Sequence, residues 1–134
     1  MAIEYRDTKD FSENDLKKLF LSVKWSSGHY PRELAAAMKN SGSVFSAWKD
    51  GELAGLVNAL DDGVMTAYVH YLLVNPAYQG RGIGRELVRL ITEKYKDYLR
   101  IVLIAYDREI GFYEGSGFEP GREVTPMFIT SLGT

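Results

Sequence analysis

Apolar positions recur along this chain at two spacings, and the change from one to the other divides it into elements. Leu16, Leu19, Phe20 and Val23 fall on one face at helical spacing, and Ser12-Glu13-Asn14-Asp15 ahead of them reads as a capping box that opens a helix. Trp25 to Tyr30 breaks the pattern as a loop. Pro31 then suits the first turn of a second helix that carries Leu34 and Met38 inward and stops near Gly42. From there the period shortens. Val44 to Lys49 and Glu52 to Leu60 flank Asp50-Gly51, which predicts a hairpin because glycine accepts positive φ. Asp61-Asp62-Gly63 predicts a second turn into a long strand, Val64 to Val74.

The helical period returns from about Ile83 to Asp97. Ile83, Leu87, Leu90, Ile91 and Tyr98 share a face that should pack on a sheet. An apolar strand, Arg100 to Ala105, and a short helix near Arg108 to Glu114 follow. One or two closing strands are expected from Phe118 to Leu132, and a short first strand from Ala2 to Arg6. Antiparallel strands first and a strand–helix–strand unit afterwards predict an α+β fold, a mixed sheet with about four helices. No internal repeat or long linker interrupts residues 1–134, so the expectation is a single domain.

Composition narrows the function. Apolar residues make up 46% and charged residues 25% of the 134 residues, ordinary values for a globular domain. A net charge of -2 argues against nucleic acid or an anionic membrane as the main partner, since no basic excess would neutralise phosphates. The chain has no cysteine, which excludes disulfides, thiolate metal sites and a cysteine nucleophile. The start, Met1 to Arg6, lacks the basic segment and apolar run of a signal peptide, and no apolar stretch reaches the roughly 20 residues that span a bilayer. The expected location is therefore the cytoplasm.

Candidate chemistry concentrates at Leu72-Leu73-Val74-Asn75-Pro76-Ala77-Tyr78-Gln79-Gly80-Arg81-Gly82-Ile83-Gly84, a glycine-rich turn between a strand and a helix. A helix start leaves backbone N–H groups unpaired and partly positive, which favours an anion there. Glycines let backbone approach a phosphate, and Arg81 and Arg85 can add charge-assisted bonds. A pyrophosphate is the natural ligand. A P-loop would need Gly-Lys-Ser/Thr where Gly84-Arg85-Glu86 stands. A Rossmann fingerprint would need a third glycine where Arg85 or Leu87 stands. A tight turn with a plain helix cap is the alternative.

The motif Gln79-Gly80-Arg81-Gly82-Ile83-Gly84 resembles the Gln/Arg-x-x-Gly-x-Gly/Ala signature of the GNAT superfamily of N-acetyltransferases. Phe112-Tyr113-Glu114-Gly115-Ser116-Gly117-Phe118 resembles the family's second hallmark, Phe-Tyr-x-x-x-Gly-Phe, in the expected order. The resemblance implies a sheet whose central strands splay in a V, with acetyl-CoA in the gap. Its pantetheine arm would pair with backbone at Leu72, Leu73 and Val74, and the amides of Gln79, Gly80, Arg81, Gly82, Ile83 and Gly84 would hold its pyrophosphate, with Arg85 nearby. No metal is implied. The acetyl group would pass by direct attack to a primary amine, on a small molecule or a peptide.

Tyr113 matches the family's general acid. The family's general base often stands where this chain has His70-Tyr71; His70 has a suitable pKa, and a water relay or a weakly basic substrate are alternatives. Where many relatives carry Asn, seven residues before the tyrosine, Tyr106 stands here, and Glu109 lies where many carry Ala. Acceptor contacts would come from Trp25, His29 and Tyr30. The second functional class is a non-catalytic acyl-CoA-binding sensor or interaction module. A homodimer is a further expectation from the resemblance.

Overall fold

A computed structural model describes residues 2–133. Five strands form one sheet in sequence order, β1 (Glu4–Arg6), β2 (Ser43–Lys49), β3 (Glu52–Asp61), β4 (Thr66–Val74) and β5 (Arg100–Leu103). The first four pair antiparallel, and β5 lies parallel to β4. Parallel neighbours need a crossover, here α3 (Ile83–Lys94). Helices α1 (Glu13–Ser22) and α2 (Pro31–Asn40) cover the opposite face, and α4 (Ile110–Glu114) follows β5. The mixed α+β sheet with four α-helices agrees with the expectation.

The helix ends are set as their residues suggest. Ser12 is the N-cap of α1, its hydroxyl accepting the Asp15 N–H at 3.0 Å. Pro31 opens α2. Both faces of the central strand are covered, so β3 is buried from Leu53 to Ala59 and reads as a nearly continuous apolar run. Leu56 and Leu73 pack with Leu16, Phe20 and Met38 beneath α1 and α2. Val57, Ala59 and Val69 pack with Ile83, Leu87 and Ile91 beneath α3. A Cβ on Gly55 would stand 2.9 Å from the Leu73 carbonyl and 3.3 Å from Ile83, so glycine lets α3 lie close to the sheet. At its far end Tyr95 anchors α3, donating to Asp61 at 2.6 Å, with Ser43 at 2.6 Å.

Several elements differ from the sequence reading: α3 stops at Lys94 rather than Asp97, β4 starts at Thr66 rather than Val64, and β1 starts at Glu4 rather than Ala2. β5 ends at Leu103, two residues short of Ala105, because its neighbour turns away there. The segment read as helix from Arg108 begins with a 3-10 turn, Asp107–Glu109, before α4. The expected closing strands between Phe118 and Leu132 do not form among the described residues. Every residue from 119 to 133 is exposed, and none has a backbone-to-backbone hydrogen bond to the described chain. Val124, Phe128, Ile129 and Thr130 have strand-forming side chains, but Pro120, Gly121 and Pro126 interrupt the run, and no strand of this chain lies alongside.

Candidate functional site

The site arises from a defect in the ladder between β3 and β4. Val57 pairs with Leu72 and Ala59 with Val69, so β4 spends one more residue than β3 across this step. That is a β-bulge, and it reverses the alternation of side chains. Tyr68 and His70 point to the α1 side, as alternation requires, and Tyr71 points there too. The rings of His70 and Tyr71 consequently stack, 4.0 Å apart. Asn58, buried opposite the bulge, fills the gap: its side-chain carbonyl accepts the Tyr71 N–H at 2.9 Å and its amide donates to Ser41 at 3.0 Å. The Tyr71 hydroxyl lies 2.8 Å from Ser27 Oγ on the 3-10 turn between α1 and α2.

Beyond the bulge, β4 and β5 separate. Their parallel pairing runs from Thr66–Arg100 to Val69–Leu103 and stops. The gap widens into a cleft of about 800 Å³, with Leu72, Leu73 and Val74 on one wall and Ile104, Ala105 and Tyr106 on the other. This is the V-shaped splay, beginning at the bulge. Backbone groups of β4 that face away from β3 open onto it.

At the end of β4 the chain prepares a helix start facing the cleft. Asn75 accepts the Ala77 N–H through its side chain at 2.9 Å, and Gln79 folds back to donate to the Val74 carbonyl at 3.2 Å. Gly80 and Gly82 then take φ of 81° and 76°, in the left-handed region. Gly82 is the N-cap of α3 without a side-chain cap, and the first helical amide bond closes from Glu86 to Gly82 at 3.0 Å. The N–H groups of Ile83, Gly84 and Arg85 are thus left without an intrahelical partner, as at any helix start. No heavy atom lies within 4 Å of where a Cβ on Gly80 or Gly82 would be, so the turn presents bare backbone. This cradle fits a pyrophosphate.

Gln79, Gly80, Gly82, Ile83, Gly84 and Arg85 all line the cleft. Arg81 does not; its guanidinium lies 5.6 Å over the Tyr78 ring. Tyr113, His70 and Trp25 line it, whereas His29 and Tyr30 stand exposed on the turn into α2, outside the cleft. Tyr106, Glu109 and Phe112 line the cleft as well. Tyr71 and Ser27, beside His70, line a smaller neighbouring cavity. Ser27 and Tyr71 carry no motif, and only their mutual bond reveals them. Among the described residues no group of His, Cys, Asp or Glu has the arrangement of a metal site.

Tyr113 and His70, the expected acid and base, both border the cleft, which Tyr78, Tyr106 and Glu109 also line. Tyr113 sits between Phe112 and Phe118, both edge-on, at 5.1 and 5.9 Å. Burial, with repulsion from Glu109 as the lesser cause, pushes its hydroxyl up to about 12. His70 lies between the Tyr68 and Tyr71 rings with one edge open to the cleft. Partial burial moves its pKa below the ordinary 6.5. At neutral pH it is therefore an uncharged proton acceptor.

This fold matches known proteins, and the stretch that a family model matches includes both motifs. The family model described as Acetyltransferase (GNAT) family covers residues 9–118. The chain belongs to this family. An uncharacterized ycf52-like N-acetyltransferase of Prochlorococcus marinus is 32% identical over 110 residues, covering 78% of this chain and 61% of its own length. A GNAT family acetyltransferase from Streptococcus pneumoniae superposes with a TM-score of 0.83 at 25% identity, over 97% of this chain and 98% of that one. An aminoglycoside N-acetyltransferase solved in complex with CoA shares the fold, with a TM-score of 0.71 at 15% identity over 97% of this chain and 95% of that one. This GNAT chain spans only about three fifths of the first of these relatives. No helix among its described residues is long and apolar enough to cross a membrane.

Proposed function

We propose that this GNAT acyltransferase moves an acetyl group from acetyl-CoA to a primary amine by direct attack. The observation that carries the reading is a single cleft with an anion cradle at one end and two proton-transfer groups, His70 and Tyr113, on its walls. Leu72 to Val74 would pair with the pantetheine arm, and Gly80 to Arg85 would hold the pyrophosphate. Acetyl-CoA supplies the activated acetyl thioester.

The remaining work falls to the protein. The cleft holds amine and thioester together, which replaces a bimolecular encounter by an effectively intramolecular one. An alkyl amine of pKa ~10.4 is mostly protonated at neutral pH, and freeing it costs about 4–5 kcal/mol. His70 accepts that proton, uncharged and beside the bulge. Tyr113 donates to the departing sulfur. Its hydroxyl is a weaker acid than an ordinary tyrosine, but the same burial and the same Glu109 penalise any anion in the cleft, the leaving thiolate included. Both basicities rise together, so the proton transfer stays feasible.

Calorimetric titration with acetyl-CoA, followed by thiol release against a panel of amines, tests this reading. Binding by the native chain, lost in Gly82→Trp, together with turnover on at least one amine, is the expected result. Binding without any turnover would leave a non-catalytic acyl-CoA-binding module instead. Absence of binding to the folded chain removes the proposal. The compartment we propose is the cytoplasm; fractionation of a tagged chain tests it.

A further inference from the structure

Of the two rings beside His70, Tyr71 is the nearer, 4.0 Å away with the planes 26° apart. A stacked contact resists separation of the rings but permits sliding. Tyr71 itself is fixed from two sides. The Phe20 ring meets it edge-on at 4.9 Å, and its hydroxyl shares the 2.8 Å hydrogen bond with Ser27 Oγ. That bond joins positions 44 residues apart and ties the turn between α1 and α2 to the bulge in β4. Ser27 is a firm anchor for it, only 4% exposed. Its turn is closed by the Gly28 N–H on the Trp25 carbonyl and the Tyr30 N–H on the Ser27 carbonyl, both at 3.0 Å. A Cβ on Gly28 would stand 2.7 Å from Leu21 Cδ2 and 3.1 Å from the Leu21 backbone nitrogen, so glycine lets the turn rest against α1.

We propose that Ser27 is a positioning residue for the reaction: its hydroxyl holds the Tyr71 ring, and that ring sets the orientation in which the His70 imidazole meets the acceptor amine. A directional bond at the far end of Tyr71 removes the sliding freedom that stacking leaves. The precision matters because a general base works at roughly 2.6–3.2 Å from the proton donor, and a slide of about 1 Å takes it out of reach. Tyr68 and Tyr106 are the other titratable groups lining the cavity that Ser27, His70 and Tyr71 share. Arg85, Arg108, Glu109, Tyr78 and Tyr113 line the main cleft beyond. No carboxylate, lysine or arginine among the described residues lines the smaller cavity, so ring contacts rather than an ion pair orient the imidazole there. The role in turnover rests on the acetyl-transfer reading; the hold on His70 does not.

Ser27→Ala, Tyr71→Phe and the double variant test the proposal by two independent readouts. The chain has two histidines, so His70→Asn assigns the His70 ring-proton resonance and the exposed His29 serves as reference. Stacked on Tyr71, His70 should resonate upfield of His29 in proton NMR. In all three variants it should move toward His29, and its titration midpoint should rise toward 6.5 as the loosened ring gains water. With an amine that the native chain acetylates, kcat should fall about tenfold in each variant, the double no worse than either single, while acetyl-CoA affinity stays native. Stability separates this role from mere satisfaction of a buried hydroxyl. Each single variant orphans one hydroxyl and the double removes both, so urea unfolding should return toward native in the double while turnover does not. In a His70→Asn background none of the three should lower turnover further. An unmoved His70 resonance in the double variant overturns the proposal. So does turnover that recovers along with stability, or an equal loss of turnover in the His70→Asn background. A moved resonance in a chain that acetylates no amine would overturn the reaction and leave the hold on His70 standing.

Discussion

The side-chain carbonyl of Asn58 accepts the backbone N–H of Tyr71 at 2.9 Å, in the place where a β3 carbonyl would stand in a regular ladder. This bond holds the bulge that turns His70 and Tyr71 to the same face. Asn58 is buried, so Asn58→Ala orphans the Tyr71 N–H and loses the Ser41 contact. The expected cost is about 2–4 kcal/mol in urea unfolding, with a fall in turnover per folded molecule because His70 is no longer held. Ser41→Ala removes the bond from Asn58 and the one to the Ala37 carbonyl but leaves the Tyr71 contact, and should lower stability by about 1–2 kcal/mol without changing turnover. Unchanged turnover in folded Asn58→Ala would mean the bulge does not position the site.

His70 sets the acid side of the pH profile. Its pKa is lowered by burial, so in the window between the folded value and 6.5 the unfolded chain binds more protons than the folded one. Stability therefore falls as pH drops through that window and levels off below it. Turnover should follow the neutral imidazole, rising with pH along a limb centred below 6.5 and flat above. In His70→Asn that limb should vanish and kcat/KM drop roughly a hundredfold. A limb centred above 6.5 in the native chain would assign the base to another group.

Much of this architecture is legible in the amino-acid sequence. The helical faces of Leu16, Leu19 and Phe20 and of Ile83, Leu87 and Ile91 are local patterns, and they are buried as the spacing requires. The cradle was legible because Gly80 and Gly82 are needed where φ is positive. The bulge was not, because it depends on how β3 and β4 register, and Asn58 carries no local sign of its role. His29 and Tyr30, expected as acceptor contacts, lie outside the cleft for a related reason: the 3-10 turn, Ser26–His29, directs Ser27 inward and leaves both of them exposed. The tail shows the limit most plainly. Strand-forming residues make a strand only when they pair with an edge, and here Pro120, Gly121 and Pro126 interrupt the run before it can.

Tyr113 and Glu109 should be separable by titration. Burial is the larger cause of the raised pKa and Glu109 the smaller, so Glu109→Gln should bring Tyr113 down from about 12 without restoring the ordinary 10. Tyr95 also titrates late, at about 12, so the measurement is the absorbance difference against Tyr113→Phe. A folded pKa above the unfolded one stabilises below pH 10 and loses that contribution as pH climbs toward 12. Tyr113→Phe should lower kcat roughly a hundredfold while acetyl-CoA affinity stays native. Equal turnover with and without the hydroxyl would remove Tyr113 as the acid.

Gly82 separates the cost of backbone strain from the cost of blocking a ligand. Its φ of 76° is strained for most side chains, and asparagine tolerates it best. Nothing in the protein lies within 4 Å of a Cβ placed there, so Gly82→Asn meets no internal clash. Urea unfolding should show a loss of no more than about 1 kcal/mol. Gly63, at φ 81° in the β3–β4 turn and equally free of neighbours, is the matched control. Gly63→Asn should cost a similar amount and leave acetyl-CoA binding unchanged. Gly82→Asn should weaken binding at least about tenfold, because the new side chain occupies the space a pyrophosphate needs beside the helix amides. Equal affinity in the two variants would show that the bare backbone at Gly82 serves only to start α3, and the cradle would have to be sought elsewhere in the cleft.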